Sequence, residues 1–288
     1  MKNALFSALE ERFQDTIKSD RGITGGDINQ ALHITFEGNG SIFVKYNGSA
    51  PADLFEKEAI GLKMLKRHAL DLRIPDVLDY GVLDGGLSFL ALEFIETSGM
   101  TKNHFEKLGQ GIAHLHKTLF SHFGSDHDNY IGLLPQKNAY RSTFSDFFWE
   151  MRILPQLQLA VKNHHFTLNE LGSIEHASKQ WTDLFPTEEP VLIHGDLWAG
   201  NIFTDSNGNA GILDPAVYYS HREMELAFTH LFGGFDASFY HAYSEILPLS
   251  PGFEQRKRLY QLYPVLVHVN LFGGAYANQA RTIINEFS

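Results

Sequence analysis

The stretch HGDLWAGN at residues 194–201, followed by DPA at 214–216, says more about this chain than any other part of it. It sets three polar side chains in a fixed order, with Asn201 five positions and Asp214 18 positions after Asp196. Short apolar runs at 191–193 and 211–213 border the two fragments and predict a strand–loop–strand frame. An Asp–Asn–Asp series on such a frame is what phosphoryl transfer from ATP requires.

The three side chains fit different tasks in that chemistry. Asp196 is the candidate catalytic base, because a carboxylate beside the attacking hydroxyl can orient it and accept its proton. Asn201 and Asp214 are the candidate ligands of Mg²⁺, which takes one or two carboxylates and leaves phosphates and water to complete its shell. Taken singly, each could instead be an ordinary capping or turn residue, and Asp214 before Pro215 could simply end a strand.

A second group of residues upstream completes the pattern of an ATP site. Lys45 lies inside the apolar, strand-like run SIFVKY at 41–46, and Glu58 follows 13 residues later in a predicted helix. A strand lysine that holds the α/β-phosphates and is itself held by a helix glutamate is the other half of a kinase site. Glu56 is the main competitor to Glu58, and without the downstream motif Lys45 would be read as a solvent-facing lysine.

Two further segments are candidates for nucleotide contacts through the backbone. Gly25 and Gly26 precede the strand that pairs toward Lys45, and glycine lets backbone N–H groups approach phosphate oxygens. The segment is neither a G-x-G-x-x-G nor a Walker pattern, so a plain turn is an equal alternative. Glu93 and Ile95 end a predicted strand, where the main chain can offer C=O and N–H groups to adenine.

Composition excludes several other classes of protein. The chain has 288 residues, a formal net charge of −11 and no cysteine, which excludes disulfides, thiolate metal sites and a cysteine nucleophile. The acidic balance argues against a nucleic-acid partner. No apolar run approaches the roughly 20 residues of a membrane span, and the N-terminus does not read as a secretory signal. We therefore expect a soluble, cytoplasmic protein.

Hydrophobic periodicity predicts an α+β chain with a β-rich N-terminal lobe (1–95) and a mainly helical C-terminal lobe (96–288). The four-residue spacing of Leu5, Leu9, Phe13 and Ile17 predicts an opening helix. A turn at 22–26 and a hairpin of strands at 28–36 and 41–46 follow. The remaining predicted elements are a helix at 52–68, strands at 77–83 and 87–95, and helices at 103–120, 144–161, 168–184 and from 222 to the end.

These residues together resemble the fructosamine kinase (ketosamine kinase) family of the protein-kinase-like superfamily. HGD with the later Asn and Asp is shared with aminoglycoside and choline kinases. The narrower resemblance rests on Trp198 within HGDLWAGN, on DPAVYYSHREMELAF at 214–228, on FEKE at 55–58 and on FGG at 272–274. DNYIG at 128–132 and FFWEMRILPQL at 147–157 also look like family segments, so the resemblance covers essentially the whole chain.

The resemblance implies a small β-rich lobe over a helical lobe, with ATP and Mg²⁺ between them. It implies phosphorylation of the 3-hydroxyl of a ketosamine, after which the unstable adduct releases its amine, a deglycation repair. Carried over by position, Asp196 is the proton acceptor and Asn201 and Asp214 bind magnesium. Lys45 binds phosphate, with Glu58 fixing the lysine, and Glu93 and Ile95 contact adenine through the backbone. The family also differs from this chain, with Ser in many members at Ala199 and Cys in some at Asp27.

Three residues near the motif have roles that the sequence leaves open. Trp198 could form an apolar wall for the sugar or its carrier amine, or could anchor the loop in the core. Arg222 or Glu225 is expected to brace the catalytic loop, although a salt bridge at a helix N-terminus is an equal alternative.

The leading functional hypothesis is an ATP-dependent ketosamine 3-kinase acting on a small-molecule ketosamine or a glycated protein lysine. The alternatives are a kinase of an aminoglycoside, choline or a free sugar, and a kinase-shaped binding module without activity. The module hypothesis is disfavoured because Lys45, Asp196 and Asn201 are all present. With no cysteine, a monomer or a dimer without disulfides is expected.

Overall fold

The N-terminal lobe is built on an antiparallel sheet. The computed structural model describes residues 2–23, 29–38 and 40–288. The strands are β1 (Ile17–Ile23), β2 (Gln30–Phe36), β3 (Ser41–Asn47), β4 (Val77–Val82) and β5 (Ser88–Glu93). They pair in the order β1-β2-β3-β5-β4, so that the lysine strand β3 lies in the centre. The predicted hairpin, the two later strands and their connections are confirmed in the described residues.

The opening helix, α1 (Lys2–Phe13), covers the outer face of this sheet with Leu5 and Leu9, both fully buried. It ends where Gln14 takes a left-handed backbone conformation with φ of 52°. The prediction that Ile17 continues the helix is wrong, because Ile17 begins β1. Gly22 and Ile23, predicted as part of a turn, also lie in β1, whereas residues 24–28 lie outside the described part of the chain.

Helix α2 (Leu54–His68) joins the two lobes through packing as well as through the chain. Its buried face, including Phe55 and Leu62, belongs to the same apolar core as the C-terminal lobe. A Cβ atom on Gly61 would lie 3.1 Å from the ring of Pro215, directly after the predicted metal aspartate. The helix that carries Glu58 is therefore held against the segment that carries Asp214.

The C-terminal lobe is mainly helical. Its helices are α3 (Lys102–Leu115), α4 (Phe144–Phe147), α5 (Leu154–Lys162), α6 (Leu168–Ser178), α7 (Arg222–Thr229), α8 (Ala237–Ile246), α9 (Phe253–Phe272) and α10 (Ala275–Glu286). A π-helical segment (Phe148–Ile153) joins α4 to α5, which makes the predicted helix at 144–161 continuous. The predicted helices at 103–120 and 168–184 are shorter than expected, the second being followed by a 3₁₀ turn at Trp181–Leu184.

Short strands interrupt the helices and frame the motif at 194–201. They are β6 (Thr97–Ser98), β7 (Asn129–Ile131), β8 (Leu134–Gln136), β9 (Val191–Ile193), β10 (Ile202–Asp205), β11 (Ala210–Ile212) and β12 (Tyr218–Ser220). The chain passes from the sheet to the helical lobe between β5 and β6, and a division at residue 95 stays a prediction. Within residues 2–23, 29–38 and 40–288, no helix combines the length and the apolarity needed to cross a bilayer.

Candidate active site

The loop after β9 packs so tightly that its second residue, Gly195, must be glycine. Gly195 has φ of 84°, and a Cβ atom there would lie 2.1 Å from the carbonyl oxygen of Ala216. The buried ring of His194 donates from Nε2 to the Leu213 carbonyl (2.9 Å) and accepts at Nδ1 from the Asp196 N–H (3.2 Å). Because one ring nitrogen donates and the other accepts, His194 is neutral, and burial lowers its pKa. His194 thus ties the Asp196 loop to the residue before Asp214.

Asp196 and Asn201 contact each other across a 3₁₀ turn (Ala199–Asn201). The Asn201 Nδ2 donates to the Asp196 backbone oxygen (2.8 Å) and to its Oδ2 (3.0 Å). An amide that donates from its nitrogen keeps its carbonyl oxygen for a cation. The pKa of Asp196 is raised to about 7, mainly by burial and secondly by the negative charge of Asp214. A carboxylate with that pKa is matched to taking a proton near neutral pH.

Lys45, Glu58 and Asp214 form a charged cluster below the sheet. The Lys45 Nζ lies 2.9 Å from Glu58 Oε1 and 2.5 Å from Asp214 Oδ1. Burial lowers the pKa of Lys45, but the charges of the two carboxylates outweigh that effect and raise it. Burial raises the pKa of Glu58 to about 7. Glu58 is therefore the lysine's partner on α2, while its competitor Glu56 is exposed.

Asp214 itself has an unusual backbone. Its φ of 57° is left-handed, a conformation that aspartate adopts more readily than most residues but that still costs free energy. Hydrogen bonds on both sides of Asp214 stabilise this conformation. The carbonyl of Leu213 accepts from the His194 ring, and the Ala216 N–H donates to the His194 carbonyl (2.9 Å). The fold therefore stabilises the placement of this carboxylate before any ligand arrives.

A cleft of about 780 Å³ brings the predicted groups together between the lobes. Its roof comes from the sheet, with Ala31, Phe43 and Lys45, and its floor from the loops of the helical lobe. Trp198 lines it as well and packs so closely over Gly200 that a Cβ atom there would lie 2.4 Å from the indole ring. Trp198 therefore lines the cleft and packs on its own loop without being part of the buried core, and a contact with the sugar or its carrier amine stays a prediction.

The donor set suits magnesium better than a transition metal. Asn201 and Asp214 offer one amide oxygen and one carboxylate toward the cleft, which matches a hard cation whose other ligands are phosphates and water. Among the residues that the structure describes, no cluster of three or more His, Cys, Asp or Glu side chains could hold a metal ion. The residues present thus fit a magnesium ion that arrives with a nucleotide.

Glu225 braces the catalytic loop from below. Its Oε1 accepts from the Gly195 N–H (2.9 Å), and its Oε2 lies 2.7 Å from His116 Nε2, with both side chains fully buried. The other nitrogen of His116 lies 2.8 Å from the Tyr243 hydroxyl. The chain Gly195–Glu225–His116–Tyr243 links the loop to α3 and α8. No local sequence pattern predicts this role of His116.

Arg222 does not share this role. It forms a two-point salt bridge with Glu188, through Nε (3.0 Å) and Nη2 (2.9 Å), and also donates to the carbonyls of Leu247 and Pro248. These contacts lie at the start of α7 and the end of α8, and not at the catalytic loop. Of the two residues expected to brace the loop, Glu225 contacts it, and Arg222 instead forms the alternative, a salt bridge near a helix N-terminus.

The predicted backbone contacts to the nucleotide are less defined. Glu93 ends β5, where its carboxylate pairs with Arg73 and its N–H donates to the Asp76 carbonyl (2.9 Å). Glu93 and Ile95 are not among the described residues that line the cleft. Gly25, Gly26 and Asp27 lie outside the described residues. Adenine and phosphate contacts at these positions stay predictions.

A buried polar network supports the segment after Asp214, and sequence reasoning missed it. Asn129 Nδ2 donates to the Val217 carbonyl (2.9 Å), and Gln136 Nε2 donates to Asn129 Oδ1 (2.8 Å). The Tyr263 hydroxyl donates to Gln136 Oε1 (2.6 Å). At the cleft edge, the Tyr130 hydroxyl donates to Asp53 Oδ1 (2.7 Å) and so bridges the lobes. The segment DNYIG at 128–132 was the available signal for this hairpin.

Comparison with known proteins agrees with this geometry. The family model described as fructosamine kinase matches residues 1–288. The chain is 38% identical to a probable ketoamine kinase of Synechocystis over 94% of its length and 90% of the relative. It is also 38% identical to the chloroplastic protein-ribulosamine 3-kinase of Arabidopsis thaliana, over 92% of this chain and 81% of that protein.

Solved structures agree as well. A putative fructosamine-3-kinase from Thermobifida fusca is 31% identical, with a TM-score of 0.87, and the match covers 99% of this chain and 98% of that one. The aminoglycoside phosphotransferase APH(4)-Ia shares the fold at 17% identity, with a TM-score of 0.67 and full coverage of both chains. The predicted two-lobed, protein-kinase-like fold is confirmed.

Proposed function

Because the chain belongs to the fructosamine kinase family, we propose that it is an ATP-dependent ketosamine 3-kinase. The observation that carries the proposal is the assembly of Asp196, Asn201, Asp214, Lys45 and Glu58 around one cleft. Relatives named ketoamine kinase and protein-ribulosamine 3-kinase support the acceptor class. The acceptor is a small-molecule ketosamine or a glycated protein lysine, and an oligomer, if formed, has no disulfide because the chain has no cysteine.

In the proposed reaction the acceptor's 3-hydroxyl lies beside Asp196. The hydroxyl oxygen forms a bond to the γ-phosphorus of ATP, the bond from that phosphorus to the β,γ-bridging oxygen breaks, and Asp196 takes the hydroxyl proton. The products are ADP and a ketosamine 3-phosphate, which is unstable and releases its amine. The hydrogen bond from Asn201 keeps one carboxylate oxygen of Asp196 oriented and leaves the other for the hydroxyl.

The positive charge that this chemistry needs comes from Lys45 and a cation. Lys45, held by Glu58, is placed to bind phosphate oxygens in the cleft. Asn201 and Asp214 would hold magnesium, which when bound neutralises charge on the phosphates and part of the repulsion between Asp214 and Asp196. The loop contacts through His194 and Glu225 keep these groups in place without a ligand, which lowers the cost of reaching a reactive geometry.

A panel of acceptors tests the proposal. ATP consumption is measured with a fructosamine, a ribulosamine, choline and an aminoglycoside, using the wild-type chain and Asp196→Asn. We expect turnover of at least one ketosamine, and a loss of at least 1,000-fold in Asp196→Asn while nucleotide binding persists. Turnover only of choline or the aminoglycoside would overturn the acceptor assignment. Undiminished turnover in Asp196→Asn would remove the proposed base.

A further inference from the structure

A tetrapeptide, Leu-Phe-Gly-Gly, occurs twice in the C-terminal lobe, and phosphoryl transfer does not explain it. The copies lie at 231–234, just after α7, and at 271–274, where α9 ends. Both phenylalanines, Phe232 and Phe272, line the cleft that holds Asp196. Two chain segments 40 residues apart thus bring the same side chain to one side of the same cleft.

The two phenylalanines belong to a continuous aromatic surface. The ring centroid of His268, on α9, lies 4.6 Å from that of Phe232, 5.5 Å from that of Phe272 and 5.0 Å from that of Tyr276. The His268 Nδ1 donates to the Pro264 carbonyl (2.8 Å), which fixes the ring's orientation. We call Phe232, His268, Phe272 and Tyr276 the aromatic shelf. All four line the cleft.

The shelf and Asp196 line the same cleft. Phe228 and Val267 line both the main cleft and a small adjoining recess, and Asp196 lines the same two spaces. In a ketosamine, four covalent bonds separate the 3-oxygen from the amine nitrogen, a span of about 5 Å. A sugar whose 3-hydroxyl lies at Asp196 therefore brings its amine substituent to the neighbouring wall of the cleft.

The shelf is exposed in a way that packing alone does not explain. Phe232 is 41% exposed and Phe272 is 55% exposed, although large apolar side chains are normally covered. Phe232 also has φ of 54°, an unfavourable backbone conformation for a bulky residue, directly before two glycines that adopt positive φ freely. Strain of this kind, kept at a cleft, is characteristic of functional sites.

The charges around the cleft define what the shelf suits. The charged residues among the described cleft lining are Lys45, Lys57, Glu58, Asp196 and Asp214. All of them lie on the sheet, α2 or the two catalytic loops, and none lies on α7, α9, α10 or the loops that follow α7 and α9. A carboxylate carried by the amine would have no cationic partner among the described residues of the shelf, whereas an aromatic or alkyl group would pack against flat rings.

We propose that the aromatic shelf binds the substituent on the ketosamine nitrogen and makes the enzyme select aromatic and long alkyl amines over short or anionic ones. This inference rests on the proposed kinase function and adds a binding subsite with a stated chemistry. The sugar is recognised at Asp196, and the shelf recognises the carrier of the amine.

The test uses three ketosamines of the sugar that the acceptor panel shows to be turned over, which differ only in the amine: propylamine, 3-phenylpropylamine and β-alanine. In the wild-type chain we expect kcat/KM to be about tenfold higher for the phenylpropyl than for the propyl compound, the factor for burying roughly 60 Å² of apolar surface. The β-alanine compound should be the poorest acceptor. Phe232→Ala and Phe272→Ala should each lower the phenylpropyl-to-propyl ratio to about two- or threefold.

A matched control separates a binding role from a structural one. Phe120→Ala removes a similarly exposed ring (37%), stacked on Tyr219 and outside the described cleft lining, and should leave the ratio at its wild-type value. A merely structural loss in the shelf variants would lower both rates and keep their ratio. Phe272→Tyr should restore the ratio, and if Phe232→Ala fails to fold, the two Phe272 variants carry the test.

The outcomes distinguish the two levels of the proposal. If the ketosamines are phosphorylated but the wild-type ratio is near one, or Phe232→Ala and Phe272→Ala both keep the full ratio, the shelf assignment is overturned and the kinase assignment stands. If no ketosamine is phosphorylated, either here or in the acceptor panel, both are overturned. A tenfold ratio that falls in the shelf variants and is kept in Phe120→Ala supports the subsite.

Discussion

Removing the Glu225 carboxylate should weaken both the fold and the catalytic loop. Glu225→Ala leaves two buried donors, the Gly195 N–H and the His116 Nε2–H, without their acceptor. An unsatisfied buried donor costs about 1–3 kcal/mol, so two of them should lower the free energy of unfolding by about 2–6 kcal/mol. Because Gly195 directly precedes Asp196, the loop should also lose its placement, and kcat should fall about 100-fold.

Glu225→Gln keeps the size of the side chain but removes its charge and one of its two acceptor oxygens. The glutamine amide has nearly the same size but offers one acceptor oxygen, so one of the two donors would face an NH₂ group. We expect a stability loss of about 2 kcal/mol, between the wild-type chain and the alanine variant. Urea unfolding followed by circular dichroism gives the stabilities, and steady-state kinetics well below each melting temperature give kcat.

Glu254→Ala is the matched control, because it removes an exposed carboxylate on α9 whose ion-pair partner, within the described residues, is Lys257. It should change stability by less than about 0.5 kcal/mol and leave kcat unaltered. A loss below about 1 kcal/mol in Glu225→Ala would refute the burial argument. A full stability loss with wild-type kcat would instead refute the link between Gly195 and the position of Asp196.

Three further perturbations have outcomes that follow from the geometry. Asp214→Asn should abolish the rise in melting temperature that Mg-ATP gives the wild-type chain, measured by thermal shift against ATP with EDTA, and a retained shift would contradict a metal role. Arg222→Met should lower the free energy of unfolding by about 3 kcal/mol, because Glu188 is left buried without its cationic partner. KM for ATP, measured at low temperature, should stay within twofold of the wild-type value. A large change in KM would contradict the placement of Arg222 away from the active site. Burial lowers the pKa of His221 to about 3 in the folded chain, so only the unfolded chain binds this proton between about pH 6.5 and 3, and stability falls as the pH falls. His221→Gln should therefore flatten the pH dependence of the unfolding free energy between pH 6 and 4 by about 1.4 kcal/mol per pH unit, and an unchanged slope would contradict a neutral, buried His221.

The parts of the site that sequence predicted are those written in short, local patterns. Asp196 and Asn201 lie five residues apart in one loop, and Lys45 faces Glu58 because a strand and the next helix place them together. The choice of Glu58 over Glu56 follows from helix geometry, since residues two apart point to different faces. These contacts need little knowledge of the tertiary fold, which is why motif spacing was enough to find them.

The parts that sequence missed depend on contacts between distant segments. Glu225 reaches His116 across 109 positions and Gly195 across 30, and no local pattern records either contact. Strand β1 was missed for a different reason: its central residues are exposed at the edge of the sheet, so apolar and polar positions do not alternate. Ile17 then extended the period of the preceding helix by coincidence.

The two sides of the cleft also differ in how completely the fold has organised them. On the nucleotide side, α2 shares the apolar core of the helical lobe and packs Gly61 against Pro215, so Glu58, Lys45 and Asp214 contact one another without a ligand. Nucleotide binding there should require little rearrangement, and the groups proposed to act on phosphate should keep one geometry for every acceptor. On the acceptor side, the rings of Phe232 and Phe272 are exposed, and a bound substrate would cover them. Affinity for the acceptor should therefore vary with the amine's substituent, while the catalytic geometry does not.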